Sequence, residues 1–180
     1  MAFFSGIKIR EIGEERCITS VPYKWLTQNP FRSTYFASLA MAAEMSTGTL
    51  ALSNVYKRTP AISMLVTKME AAYFKKATGT IFFNCEEGKE IAVSIDEAAS
   101  AGEAKKIIAK STGIDKNGEL VAEFLFTWSF KAKSGRFSLN YFNSLPAGKY
   151  FYPPGLMYVI IKITAPTGYF SVCFITFQLL

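Results

Sequence analysis

The chain has 180 residues, 50% of them hydrophobic, a net charge of +6 and no histidine. That size and apolar content allow one domain with a substantial core and argue against disorder. The missing histidine excludes Ser-His-Asp and Cys-His catalysis and any His-containing metal site. Its 20 lysines and arginines are spread along the chain rather than gathered in a stripe, which argues against a nucleic-acid partner. Cys17, Cys85 and Cys173 are odd in number and far apart, so no disulfide framework is expected. The opening "MAFFSGIKIREIGEE" lacks the basic start and long apolar run of a secretion signal, and the expected compartment is a reducing cytoplasm.

In chain order, "GIKIREIGEERCITSVPY" predicts two short strands around a turn near Gly13, with Ile7, Ile9, Cys17, Thr19 and Val21 at strand spacing. "KWLTQNPFR" reads as a loop turning at Asn29-Pro30. Ser33 or Thr34 can cap a helix from about Tyr35 to Ala51. That helix is rich in Ala, Leu and Met and apolar nearly all round, which predicts burial on most faces. Two further strands follow, "AISMLVTKMEAAYFKKA" and "GTIFFNCE", broken near Thr78-Gly79. "EGKEIAVSIDEAASAGE" is helical in character and ends near Gly102. "AKKIIAKSTGIDKNGELVAEFLFTWSFKAK" predicts a hairpin turning at Lys116-Asn117-Gly118. Ile81, Phe82, Ile107, Ile108, Val121, Phe124, Phe126 and Trp128 are the expected core residues of these strands. Antiparallel strands around one early buried helix define an α+β domain.

Composition changes at Ser134. From there to Leu180 the chain has no acidic residue and is dense in Phe and Tyr. "LMYVIIKITAPTGYFSVCFITFQLL" suits a hairpin turning at Pro166-Thr167-Gly168. A loosely ordered tail and a membrane-associated segment stay open beside it. Lys162, Pro166 and Gly168 interrupt the apolar run and disfavour a spanning helix.

One residue stands out. Between Arg32 and Lys57 the only charged side chain is Glu44, and an isolated carboxylate in a helix built for burial is costly.

The stretches "VPYKWLTQNPFRSTYFASLAMAAEMSTG", "KMEAAYFKKATGTIFF" and "AKSTGIDKNGELVAEFLFTWSFKAK" resemble the hotdog fold of acyl-CoA thioesterases, in which a long antiparallel sheet wraps a central helix. The nearest branch is a bacterial one, domain-of-unknown-function family 4442. The resemblance runs from about Gly6 to Lys133, giving a hotdog domain over residues 1–133 and an off-family extension over 134–180. Relatives carry further residues upstream, so the chain is expected to begin inside the pattern. The extension is either an added element or the product of an altered reading frame.

The resemblance implies hydrolysis of acyl-CoA or acyl-carrier-protein thioesters. Glu44, in Met41-Ala42-Ala43-Glu44, falls where the family carries the helix carboxylate that acts as nucleophile or general base. Asn29 matches the loop Asn or Gln that orients substrate or water. Ser33, Thr34, Tyr35 and Phe36 surround the helix start, whose backbone N–H groups would polarise the thioester oxygen. Tyr35 departs from the family's His-Gly-Gly turn. Lys75 and Lys76 fall at a strand turn near the acyl-CoA entrance. No metal or other cofactor is needed, and the family's edge-to-edge pairing implies a homodimer with its sites near the subunit seam.

Structural readings stand beside these. Glu44 could serve a lysine or arginine, or face a partner subunit. Asn29 suits a turn, and Ser33 and Thr34 suit helix caps. Ser46 and Thr47 suit bonds to backbone carbonyls. Lys75 and Lys76 suit a solvated strand edge. The alternative function is a non-catalytic hotdog module that binds an acyl group or a protein partner, and a third reading is membrane contact through the aromatic tail.

Overall fold

The computed structural model describes residues 2–133 and two strands, Met157–Thr164 and Phe170–Phe177. After a short helix α1 (Ala2–Ser5), strands β1 (Lys8–Ile12) and β2 (Cys17–Val21) form the first hairpin. Helix α2 (Phe36–Val55) precedes β3 (Ile62–Tyr73) and β4 (Ile81–Cys85). Helix α3 (Gly88–Ala101) leads into the long hairpin of β5 (Lys105–Ile114) and β6 (Leu120–Ala132). Six strands make one sheet in the order β1-β2-β4-β5-β6-β3, with every neighbouring pair antiparallel. This is the α+β hotdog arrangement. The chain divides into two compact units, residues 2–135 and 136–180. In the second, β7 (Met157–Thr164) pairs antiparallel with β8 (Phe170–Phe177); the expected Pro166-Thr167-Gly168 turn lies outside the described residues. Among the described residues no helix is long and apolar enough to cross a membrane.

The start of α2 corrects the expected cap. Tyr35 is the N-cap residue and makes no side-chain capping bond. Thr34 is drawn away instead, its backbone N–H and its hydroxyl both donating to the Ala77 carbonyl, at 2.7 and 3.2 Å. The helix also runs beyond Ala51. There the Ser53 hydroxyl and the Asn54 amide donate to the Leu50 carbonyl. At the β5–β6 turn, Gly118 takes a positive φ of 82°, the left-handed conformation that favours glycine.

The register decides which strand residues reach the core. Cys17, Thr19 and Val21 lie opposite Cys85, Phe83 and Ile81, and all six are buried. Phe83 therefore takes the core place expected of Phe82, which pairs with Ser20 and is half-buried. Ala109 and Ser111 face inward opposite Phe126 and Phe124, which turns Ile108 outward at 58% exposure. Ile107 is half-buried opposite Trp128. Ile81, Val121, Phe124, Phe126 and Trp128 are buried as expected, and Phe130 joins them. Phe124 packs edge-on against Tyr73 and Phe83 and stacked with Phe126, at centroid distances of 5.7, 5.7 and 6.0 Å.

These contacts set up the first prediction. Phe124→Ala should cost about 3–5 kcal/mol, because it empties a buried aromatic site. Ile108→Ala should cost under about 1 kcal/mol, as an exposed position does. Chemical denaturation of both variants checks the assignment of faces.

Candidate functional site

Helix α2 is tied to the sheet by polar bonds as well as by apolar packing. The Thr19 hydroxyl of β2 donates to the Ala42 carbonyl at 2.7 Å. The Ser46 hydroxyl meets Ser111 of β5 at 2.8 Å and donates to the Ala43 carbonyl at 2.7 Å. The indole N–H of Trp128 on β6 donates to the Thr47 hydroxyl at 3.0 Å, while that hydroxyl donates to the Glu44 carbonyl at 3.1 Å. Ser46 and Thr47 thus bond backbone carbonyls as their residue types suggest, and they also bind the sheet. Their partners lie 65 and 81 residues away in sequence.

One stripe of α2 is less covered. Ala37, Ala40, Met41, Glu44 and Gly48 are all half-buried, at the three- and four-residue spacing of a single helix face. Gly48 meets the sheet closely there. A Cβ at that position would lie 3.2 and 3.3 Å from two atoms of the Trp128 ring, and 3.9 Å from Glu44 Oε1. The indole edge and the carboxylate therefore flank the same point on the helix.

Among the described residues, no hydrogen bond or ion pair meets the Glu44 carboxylate. The reading in which a lysine or arginine neutralises it finds no such partner there. Burial, with no charged neighbour contributing, pushes its pKa up from 4.5 to about 7.

The remaining candidates fall into three groups. In the loop, the Asn29 side chain is fully engaged: Oδ1 accepts from the Phe31 and Ser33 N–H groups and from the Ser33 hydroxyl, and Nδ2 lies 3.0 Å from Ser33 Oγ. Asn29 and Ser33 are brought together, while Thr34 is buried against Ala77. At the helix start, Tyr35 and Phe36 are exposed, with their rings edge-to-face at 4.7 Å. The Tyr35 carbonyl accepts from Ser38 and Leu39, and the Phe36 and Ala37 N–H groups have no acceptor among the described residues. At the strand turn, Lys75 is ion-paired with Asp115 (3.2 Å) and with Glu119, and Lys76 is exposed. None of these side chains bonds to Glu44. Trp128, Thr47 and Gly48 are the site's other members; the sequence marked Trp128 only as core and Thr47 only as a carbonyl-bonding residue, with nothing to join them.

The comparisons agree with this architecture. The model of the domain of unknown function DUF4442 matches residues 1–130, and the chain belongs to that family. Among solved structures, a Pseudomonas aeruginosa protein of unknown function, described as a probable thioesterase, superposes with a TM-score of 0.65 at 21% identity, covering 74% of this chain and 89% of that one. A Chlorobaculum tepidum protein of unknown function gives 0.63 at 17% identity, covering 73% and 86%. A Haemophilus influenzae thioesterase gives 0.52 at 13% identity, covering 73% and 82%. At such identities the likeness establishes the fold. No curated protein matches the sequence.

The raised pKa of Glu44 makes a stability prediction. Below about pH 4.5 the carboxyl is protonated in both the folded and the unfolded chain, and it costs nothing. As pH rises towards 7 the unfolded chain ionises first, so stability falls, and above 7 the full cost remains. That cost is roughly 3 kcal/mol at most. Glu44→Gln should therefore match the parent near pH 4 and exceed it by up to that amount at pH 8, as read by denaturant melts at the two pH values.

Proposed function

We propose that this protein hydrolyses acyl thioesters of CoA or of an acyl-carrier protein, with Glu44 activating water or attacking the carbonyl. The observation that carries the reading is an unpaired carboxylate on the open stripe of a buried helix, held near neutral pKa by burial alone. A pKa near the working pH is where a general base is most effective.

The helix supplies the complementary charge. The N–H groups of Phe36 and Ala37, without an acceptor among the described residues, sit at the positive end of α2 and would donate to the thioester oxygen as it becomes an oxyanion. Glu44 lies eight residues further on, about 12 Å along the axis. Its side chain leans back towards the helix start, so the thioester carbon and a water would lie between the two. In this reading Asn29 acts through the loop it organises with Ser33, and Thr34 holds the loop against Ala77. The exposed Tyr35 and Phe36 rings stand at the mouth. Among the described residues Lys76 is the member of the basic pair without an ion pair, and it would meet a CoA phosphate, since Lys75 already serves two carboxylates. The chemistry calls on no cofactor.

The assembly proposed with it is a homodimer. Strand β3 closes one end of the sheet order, and Leu65, Met69 and Tyr73 along it are 65%, 46% and 47% exposed. A long apolar sheet edge calls for cover, and a second copy can provide it through a two-fold pairing that brings the two sites near the seam.

One observation favours a second reading, a binding module without turnover. The Asn29 amide is spent on its own loop, and Tyr35 and Phe36 replace a glycine turn that would let substrate approach closely.

A panel of acyl-CoA and acyl-carrier-protein thioesters separates the two. The purified protein should hydrolyse at least one class, with kcat falling at least about 100-fold in Glu44→Gln, as expected when a general base is lost. Undiminished turnover in that variant removes Glu44 from the mechanism, and binding without turnover selects the module. Light scattering should find a dimer at micromolar concentration; a folded monomer refutes the pairing.

A further inference from the structure

Trp128 is a large side chain that the proposed chemistry leaves without a task, and its setting is unusually specified. Its ring is 4% exposed. Its N–H is tied to Thr47, a polar handle of the kind a buried indole needs. Its edge sits over Gly48, where any side chain would crowd it. A glycine inside a helix costs about 1 kcal/mol relative to alanine, so the helix gives up stability at the one position that lets the indole close on the Glu44 stripe.

We propose that Trp128 is the positioning residue for Glu44: pinned by Thr47 and admitted by Gly48, its ring forms the dry wall that keeps water from one side of the carboxylate. The inference rests on the reading of Glu44 as the reacting group, and it adds the device that controls that group's protonation. An apolar wall disfavours the charged carboxylate, so the proton stays on Glu44 to higher pH.

The surrounding charges leave this role to the ring. On α2 no other charged residue lies between Arg32 and Lys57, and β2 and β4 carry none. On β6, Glu123 and Lys131 alternate away from the inward Phe124 and Phe130. On β3, Lys68 and Glu70 pair with each other at 2.9 Å and lie opposite the outward Thr127 and Leu125. On α3, Lys89 pairs with Glu15 and Asp96 with Arg58, while Glu90 and Glu97 are exposed. On β5, Lys106 and Lys110 are exposed; Lys105, opposite Phe130, shares the inner face two register positions beyond Ile107.

The test is a direct titration of the Glu44 carboxyl by carbon NMR, assigned with Glu44→Gln, in the full-length parent and in Trp128→Phe, Thr47→Val and Lys105→Met. Trp128→Phe removes the N–H anchor and narrows the wall; Thr47→Val leaves the indole intact and removes its acceptor, together with the hydroxyl's bond to the Glu44 carbonyl. The midpoint should fall by about one unit or more in Trp128→Phe, move in the same direction in Thr47→Val, and stay put in Lys105→Met. An unchanged midpoint in Trp128→Phe overturns the proposal. Should that variant fail to fold, an unchanged midpoint in Thr47→Val overturns it equally. A shift driven by Lys105→Met alone assigns the control to that charge and also overturns it. If the parent hydrolyses no thioester while the midpoint moves as expected, the hydrolase reading falls and the positioning role stands. If hydrolysis depends on Glu44 while the midpoint does not move, only the positioning role falls.

Discussion

The enclosure of α2 by the sheet is the constraint on which the other features depend. A helix of 20 residues with ten of them buried cannot be covered by one flat face; it needs strands on several sides. Contacts from β2, β5 and β6 meet it through Thr19, Ser111 and Trp128, and α3 adds Ile91, Ile95 and Ala98 to the core. The small residues of α2, above all its alanines, serines and Gly48, let these neighbours come close. Hydroxyl bonds then fix the helix against rotation in a way that apolar packing alone leaves loose.

That enclosure gives Glu44 its meaning. On the covered faces, the Ser46, Thr47 and Thr49 hydroxyls bond to backbone carbonyls, and Ser46 and Thr47 bond to the sheet as well. On the half-covered stripe, the single carboxylate has no such partner among the described residues, and burial raises its pKa. A fold gains nothing in stability from such a group; glutamine would fit the same space at lower cost. Strongly perturbed groups of this kind concentrate at functional sites. The two cysteines of the core show the contrast. Cys17 and Cys85 are buried and free, and burial pushes the Cys17 thiol up to about 12, which leaves it inert at neutral pH.

Much of the fold was legible in the sequence because local signals agreed with it. Gly13, Gly102 and Lys116-Asn117-Gly118 mark real boundaries, and the alanine-rich stretch around Glu44 is the central helix. Glu44 itself was visible as a lone charge. The misplaced strand residues have one cause: register. In "TIFF" and "KKIIA" adjacent apolar residues compete for the inward position, and pairing with distant strands decides for Phe83 over Phe82 and against Ile108. The N-cap went to Tyr35 because Thr34 is claimed by Ala77, 43 residues away. The Thr47–Trp128 bond was hidden for the same reason. Nothing local to either residue indicates the other.

The central claim is that the proton on Glu44 governs chemistry at this helix. The most direct measurement is the pH dependence of kcat for acyl-CoA hydrolysis by the full-length protein. The chain has no histidine, so few other groups titrate in this range. The rate should rise with pH through an inflection near 7 as the carboxylate forms. A rate already at its plateau at pH 5 would rule out Glu44 as the base.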